Sequence, residues 1–453
     1  MTSPTTTEVP RYGAFPVVAL GATLMLEQGE RLSLAQAFDG IRADFGVSDT
    51  ALGGLAAAMV LVGVLGGIPF GALADRARRS TLLVIAMVIW TACMGFGAMA
   101  PGFVFLFIGR LGVGAVEANG PASFSLMSDY YPVAKRARMM GRYQLGGAVG
   151  GLFGVGLSGV LVDTFGWRAA FWMWIPFGIS VVMLLTRLPE PERGGQDRAF
   201  HLRETEGVEA EGGAGLFPDL NLPPLRTSEL RYDDASWMDV LRELRHIRSM
   251  WFGLMSLTIS SFLLGALGVW GIEFFKQAFD LSATKAGAFV PAIGGGAALG
   301  LVGGGELADR LLRRGVTNAR VYVSAVASVL AAILLLPAFL TSSLALAAGL
   351  LFLGSLCLTI PIAPSEALVS DVVPSQLRGR AAAIRSAVRA LSAVAPLVVG
   401  FLSDLTDLPT ALAMITPMYA IGGFVMLLAA RSYPADLAFV AADAQRTMGH
   451  SRP

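Results

Sequence analysis

Gly71-Ala72-Leu73-Ala74-Asp75-Arg76 is answered later in the chain by Gly305-Glu306-Leu307-Ala308-Asp309-Arg310, at an offset of 309 − 75 = 234. Ser128-Asp129-Tyr130-Tyr131-Pro132, followed by Arg136 and Arg138, is answered by Ser370-Asp371-Val372-Val373-Pro374, followed by Arg378 and Arg380, at 371 − 129 = 242. Two matched motifs at nearly equal spacing mark an internal repeat of more than two hundred residues. The chain is two copies of one unit.

What the copies are made of follows from composition. Of 453 residues, 54% are hydrophobic and only 15% charged, with a mean hydropathy of +0.63. Ordinary soluble domains carry about 25% charged residues, so this is a polytopic membrane protein. A helix needs about 20 apolar residues to cross the hydrocarbon. Segments of that size fall at 14–38, 50–74, 80–100, 103–128, 139–162 and 168–187, then at 250–275, 286–308, 319–340, 344–370, 380–403 and 409–430. The predicted fold is an all-α membrane protein of twelve transmembrane helices in two six-helix halves. Six spans return the chain to its starting side, so the halves share one orientation and are related by a pseudo-two-fold axis, with their interface the natural pathway.

The predicted order is an N-terminal tail (1–12), a six-helix half (13–187), a linker (188–249), a second half (250–431) and a tail (432–453). Arginines set the topology. One set of loops holds Arg76, Arg78, Arg79, Lys135, Arg136, Arg138, Arg142, Arg310, Arg313, Arg314, Arg320, Arg378, Arg380, Arg385 and Arg389; the opposite set holds Arg42, Arg168, Lys276 and Lys285. Positive loops stay inside, which predicts that both termini and the linker are cytoplasmic. Residues 1–12 lack a basic leader and a cleavage site, so the first helix is expected to stay as an anchor. Lysine occurs only at 135, 276 and 285, a bias that fits a GC-rich bacterial source and a bacterial inner membrane.

Residues 188–235 gather Gly, Pro, Glu and Arg and cannot bury enough apolar surface to fold alone. From Ser236-Trp237-Met238-Asp239 a helix is expected, with Trp237, Val240, Leu241, Leu244 and Ile247 on one face and Arg242, Arg245 and Arg248 on another. It is either a surface helix packed under the bundle or one that binds anionic lipid or moves with gating.

Charges inside apolar segments are costly and are paired or functional. Glu27, Glu30 and Arg31 interrupt the first predicted helix; Arg110 and Glu117 interrupt the fourth. Seven residues are nearly two turns, so Arg110 and Glu117 share a face, with Glu117 about 10 Å deeper by helix rise. Neighbours Glu30 and Arg31 cannot face the same way, so the working contacts must cross helices. Burial disfavours a charged carboxylate and an arginine favours it, so a motion that changes the partner changes proton affinity. Glu117 is the candidate proton carrier, tuned by Glu30, Arg31 and Arg110; the alternative is a permanent salt bridge that fixes helix register. At the 242 offset, positions 110 and 117 map to Phe352 and Thr359, so coupling is expected in the first half alone.

The repeated motifs suggest a latch. An Asp at a helix end can accept from a neighbouring helix start and pair with an Arg, a contact that breaks when the helices separate. Asp75, Arg76, Asp129 and Arg138, with Asp309, Arg310, Asp371 and Arg380, are its candidates; static topogenic charge is the alternative. Phe124, Met127, Trp270, Phe274 and Phe275 could line an apolar pocket with Glu366 at its edge, or could simply be core; Arg385 and Arg389 could snorkel or hold an anionic headgroup. Glycines crowd 146–156 and 294–305, where they let helices approach. Neither run has the Gly-Lys-Ser/Thr ending of a phosphate loop.

Gly71 to Arg79 resembles the loop signature of the major facilitator superfamily, with Ala77 in place of its glycine and the run one residue short; Arg110-Leu-Gly-Val-Gly114 resembles its fourth-helix signature. Within that superfamily the chain looks like the Spinster branch of lysolipid and sphingolipid transporters. Glu30-Arg31 stands where that branch has an acidic-Arg pair, and Gly112-Val-Gly114 to Glu117-Ala118 resembles its Gly-x-Gly-Glu-Ala with two extra residues. Gly265-Ala266-Leu267 to Trp270 and Pro396 to Ser403-Asp404 resemble two further motifs. The resemblance implies alternating access, proton coupling and a lysophospholipid-like substrate, in a monomer; a multidrug or organic-anion carrier is the alternative within transport, and a non-transporting sensor outside it.

Other classes find no support. No Ser/His, His-Glu or paired-Asp constellation lies in the apolar segments, so no enzyme is expected. Cys93 and Cys357 are isolated, and His201, His246 and His450 lie in polar segments, so neither a metal nor another cofactor is predicted. A net charge of +1 without a basic tail predicts no nucleic-acid partner; the expected partners are substrate, protons and membrane lipids.

Overall fold

The computed structural model describes residues 12–192 apart from 118, 119 and 132, and residues 237–440 apart from several positions between 375 and 389. Among the described residues there is no strand. The first set of helices is α1 (Phe15–Gln36), a short α2 (Phe38–Phe45), α3 (Asp49–Arg76), α4 (Arg79–Ala98), α5 (Phe103–Glu117), α6 (Gly120–Tyr130), α7 (Val133–Phe165), α8 (Ala169–Trp172) and α9 (Trp174–Leu185). The second set is α10 (Trp237–Leu244), α11 (Arg248–Phe279), a short α12 (Ala283–Gly287), α13 (Val290–Arg313), α14 (Ala319–Leu340), α15 (Leu344–Thr359), α16 (Ile362–Asp371), α17 (Ala395–Leu405), α18 (Leu408–Ile415) and α19 (Pro417–Ala429). Each of the twelve predicted spans holds one helix or two consecutive ones.

Local chemistry sets where several helices begin. Ser48, Ser343 and Asp407 sit before α3, α15 and α18 and accept the backbone N–H of Ala51, Leu346 and Thr410, satisfying amides that the helix itself leaves free. Pro361 separates α15 from α16, because a proline withholds its own amide from the helix. Among the described residues, seven helices are long and apolar enough to cross a membrane. Neither α1 nor α5 is among them, and these are the helices that carry Glu27, Glu30, Arg31, Arg110 and Glu117. In α1 the three charges Glu27, Glu30 and Arg31 weaken the membrane signal, and two of them help to build the site.

The chain divides into two compact units. The first is Met1–Gly213 with Leu281–Ala288; the second is Ala214–Asp280 with Phe289–Pro453. In the first, α1 lies against α7 at backbone contact. A Cβ on Gly146, Gly150 or Gly154 would stand 2.1, 2.0 or 2.4 Å from the carbonyl oxygens of Gly21, Met25 and Gly29. The four-residue spacing puts the three glycines on one face, and only hydrogen fits there. The same first unit includes α12, where Asp163 of α7 accepts the N–H of Ala283 (3.2 Å) and of Thr284 (3.0 Å) and the Thr284 hydroxyl (2.5 Å).

In the second unit, α13 and α15 repeat the device. A Cβ on Gly296, Gly300 or Gly304 would meet the carbonyl oxygens of Phe352, Leu356 and Ile360 at 2.5, 2.0 and 2.2 Å. The predicted helix after Ser236 is α10, with Val240, Leu244 and Ile247 buried beside Leu368, Val372, Tyr433 and Leu437. Leu241, expected on that apolar face, is 39% exposed instead. The packed-helix reading holds for the rest of the described face.

Candidate functional site

Two cross-helix ion pairs join α1 to α5 inside the first unit. Glu30 pairs with Arg110, and both are buried. The Arg110 guanidinium also lies 4.5 Å from the centroid of the Phe171 ring and donates to Met94 Sδ at 3.6 Å. A cation held by a carboxylate, a ring face and a thioether is fully enclosed by protein. The second pair is Arg31 with Glu117, at 2.6 Å. Here the two partners differ: the Glu117 side chain is 4% exposed and that of Arg31 is 40% exposed.

These pairs sharpen the sequence reading and correct part of it. Glu30 and Arg31 do point different ways, each to its own partner on α5. Although Arg110 and Glu117 lie two turns apart on α5, α1 reaches both, Glu30 pairing with the first and Arg31 with the second. Arg31 is therefore the direct partner of Glu117, and Glu30 and Arg110 form a pair of their own. One oxygen of Glu117 accepts from Arg31; the other, Oε1, is buried without a hydrogen bond, as is Oε2 of Glu30. Phe352 and Thr359, at the equivalent positions of the second unit, carry no charge, and the Thr359 hydroxyl donates to Ala297 O at 2.6 Å.

A second pair of sites lies at the helix ends. In the first unit Arg79, at the start of α4, donates to Asp129 on α6 at 2.5 Å, to Ser125 at 2.8 Å and to Glu190 at 3.0 Å. Glu190 also accepts the Ser80 N–H and hydroxyl, each at 2.8 Å. Partial burial pushes the Glu190 carboxyl up, but those Ser80 and Arg79 donors outweigh it and hold the group below the usual carboxylate range. In the second unit Arg320, at the start of α14, pairs with Asp371 on α16 and lies 3.8 Å from Asp309; the Tyr433 hydroxyl donates to Asp371 at 3.2 Å. The arginines are 320 − 79 = 241 residues apart and the aspartates 371 − 129 = 242, so one arrangement is built twice.

Arg79 and Arg320 were legible only as loop charges. The repeat could have revealed them: the offset grows from 234 at Asp75 to 241 at Arg79, a difference of 7, because α13 runs on further past Asp309 than α3 does past Asp75 and the loop that follows it is longer. The side chains of Asp75, Arg76, Phe124 and Arg138, and the residue Arg380, lie outside the described residues. Arg310 is exposed.

Met127, Trp270 and Phe274, read from the sequence as pocket or core, are buried in this structure, each at most 1% exposed. The Trp270 indole donates to Pro396 O at 2.9 Å, and Phe274 packs edge-on against Phe275, Phe279 and Phe339. These three residues pack as core in this structure. Glu366 is paired with Arg385, and each side chain is 27% exposed. No group of His, Cys, Asp and Glu among the described residues could hold a metal ion.

Two matched sets of apolar helices, with buried ion pairs among them, define a polytopic membrane protein. The profile of the Major Facilitator Superfamily matches residues 20–394, and the chain belongs to that family of membrane transporters. It is 22% identical over 407 residues to a probable L-galactonate transporter of Escherichia coli, covering 88% of this chain and 85% of that one. It is 29% identical over 201 residues to the cis,cis-muconate transport protein of Acinetobacter baylyi, covering 43% of this chain and 48% of the relative. The fold is that of a bacterial homolog of the human lysosomal transporter Spinster, solved in an inward-facing and occupied conformation. The TM-score is 0.74 at 19% identity, over 93% of this chain and 97% of that one.

Proposed function

We propose that the chain is a secondary active transporter that works by alternating access and carries an organic anion together with protons, using Arg31 and Glu117. The observation that carries this reading is the asymmetry of that pair: a buried carboxylate with one bare oxygen holds an arginine whose side chain is 40% exposed. A proton added to Glu117 Oε1 would neutralise the carboxylate and weaken its hold on the guanidinium. Arg31 would then be available to a substrate carboxylate, which its planar fork can grip with two hydrogen bonds. Proton and anion binding would favour one another, the linkage that symport requires. Glu30 and Arg110, enclosed with Phe171, serve as the fixed frame that keeps α1 and α5 in register.

The paired clusters at the helix ends act as latches in this scheme. Arg79 with Asp129 and Glu190, and Arg320 with Asp371, each tie the start of one helix to the end of another within a unit. Parting those ends would separate a desolvated ion pair, so each cluster biases its unit towards one arrangement. Both termini and the 188–249 linker are assigned to the cytoplasm from the arginine distribution, in a bacterial inner-membrane monomer with six-helix halves at 13–187 and 250–431. The organic-acid names of the two sequence relatives support the anion; each name belongs to that relative.

A lysophospholipid is the second reading, favoured by Glu30-Arg31 and by the Gly265-Ala266-Leu267 and Trp270 motif of α11. It shares the anionic group and adds an acyl chain. The two are separated by thermal stabilisation of the detergent-purified protein, screened across muconate, sugar acids, benzoate and lysophospholipids. Stabilisation by acids and loss of that effect in Arg31→Gln is the expected result; stabilisation by lysophospholipids alone overturns the organic-anion reading.

A further inference from the structure

A cleft of about 630 Å³ opens in the second unit between the α10–α11 junction and the segment after α19. Its polar lining is Arg245, His246, Arg248, Arg431, Ser432 and Asp436. Arg245, His246, Arg248 and Arg431 are exposed, whereas Ile247 and Phe439 form a buried apolar floor. Asp436 is the one carboxylate in the lining, and it accepts the Ser249 N–H at 3.0 Å and the Ser249 hydroxyl at 2.6 Å. That carboxylate caps the start of α11. Among the described residues, none of Arg245, Arg248 and Arg431 makes an ion pair, so the cleft keeps a surplus of positive charge beside a helix N-terminus.

The surroundings say what an anion bound here would be attached to. The membrane span of α11 begins at Arg248, so the cleft lies where a span ends. The preceding helix α10 is fixed against α11 by a Trp251 indole bond to Leu244 O at 3.0 Å. It presents Met238 and Leu241, 65% and 39% exposed. Guanidiniums over an apolar floor at the end of a span, next to exposed apolar side chains, match a phosphate headgroup whose acyl chains remain in the bilayer.

We propose that this cleft is a binding site for the phosphate headgroup of an anionic membrane phospholipid, separate from the Arg31–Glu117 site. Arg245, Arg248 and Arg431 grip the phosphate, and Ser432 contributes a hydroxyl. Tyr433, next to Ser432, donates to Asp371, so an occupied cleft buttresses the Arg320–Asp371 latch.

The test titrates the delipidated full chain in detergent with short-chain phosphatidylglycerol, with phosphatidylcholine of the same chain length, and with inorganic phosphate as competitor. Bound lipid is read by native mass spectrometry. The expected result is retention of phosphatidylglycerol over phosphatidylcholine. The double variant Arg245→Gln/Arg431→Gln should lose about 25-fold in affinity, since each arginine near a membrane surface is worth roughly five-fold. Arg431→Lys should keep most of the binding. Both arginines are exposed, so the variants should melt as wild type in phosphatidylcholine. Equal retention of the two lipids, or wild-type phosphatidylglycerol binding by the double variant, overturns the proposal. Displacement by inorganic phosphate at equal concentration assigns the cleft to a soluble anion and overturns the lipid.

Discussion

Alanine at Gly150 would bring a Cβ to 2.0 Å from the Met25 carbonyl oxygen and 2.6 Å from Met25 Cα, both backbone atoms of α1. Ordinary contact begins near 3.4 Å, so the shortfall is 3.4 − 2.0 = 1.4 Å. No side chain can rotate away to supply it; α1 and α7 must part. Overpacking of this kind costs about 1–3 kcal/mol, and α1 would carry Glu30 and Arg31 with it. Gly156 on the same helix has nothing within 4 Å, so alanine there meets no neighbour and gains up to about 1 kcal/mol of helix propensity. Differential scanning fluorimetry of both variants in one detergent should show Gly150→Ala melting below wild type and Gly156→Ala at or above it. Equal losses, or no loss at Gly150, would refute the claim that backbone contact between α1 and α7 positions the site.

Two further expectations concern the helix ends and the core. The Glu190 carboxyl titrates below its ordinary value of 4.5. Its hydrogen bonds therefore stabilise fully above pH 4.5, and the contribution fades as pH falls through the lower, folded value. The melting gap between wild type and Glu190→Gln should stay constant down to about that pH and then close; a gap independent of pH would show that the charge is not what matters. Trp270→Phe removes the indole donor to Pro396 O and leaves a buried carbonyl short of its partner, at about 1–3 kcal/mol. Trp172→Phe, at an exposed position, should change melting by less than about 0.5 kcal/mol; comparable losses in the two would count against the packed-core placement of Trp270.

The architecture was legible because the bilayer imposes it. Apolar runs of fixed length can only be spanning helices or buried ones, and the Asp129 and Asp371 motifs divided them into two sets. Glu30, Arg31, Arg110 and Glu117 stood out for the same reason, as charges where charge is expensive. Partner choice was not legible. It depends on how far side chains reach across from one helix to another: Arg31 pairs with Glu117 and its neighbour Glu30 with Arg110, two turns away on α5. Arg79 and Arg320 hid among many loop arginines, since topogenic and latch arginines look alike until a carboxylate is found beside them. Trp270 and Phe274 fitted pocket and core alike in the sequence, since an aromatic run on a spanning helix carries no signal of its packing; in the structure both are buried.

If Glu117 carries the proton, its protonation governs Arg31. That role is tested most directly in proteoliposomes loaded with the carboxylate that stabilises the purified protein, comparing wild type with Glu117→Gln under an imposed pH gradient. Wild type should accumulate the carboxylate under the gradient, and Glu117→Gln should show only gradient-independent exchange, with melting preserved. Accumulation that still follows the pH gradient in Glu117→Gln would contradict that role and leave the Arg31–Glu117 pair as a structural tie.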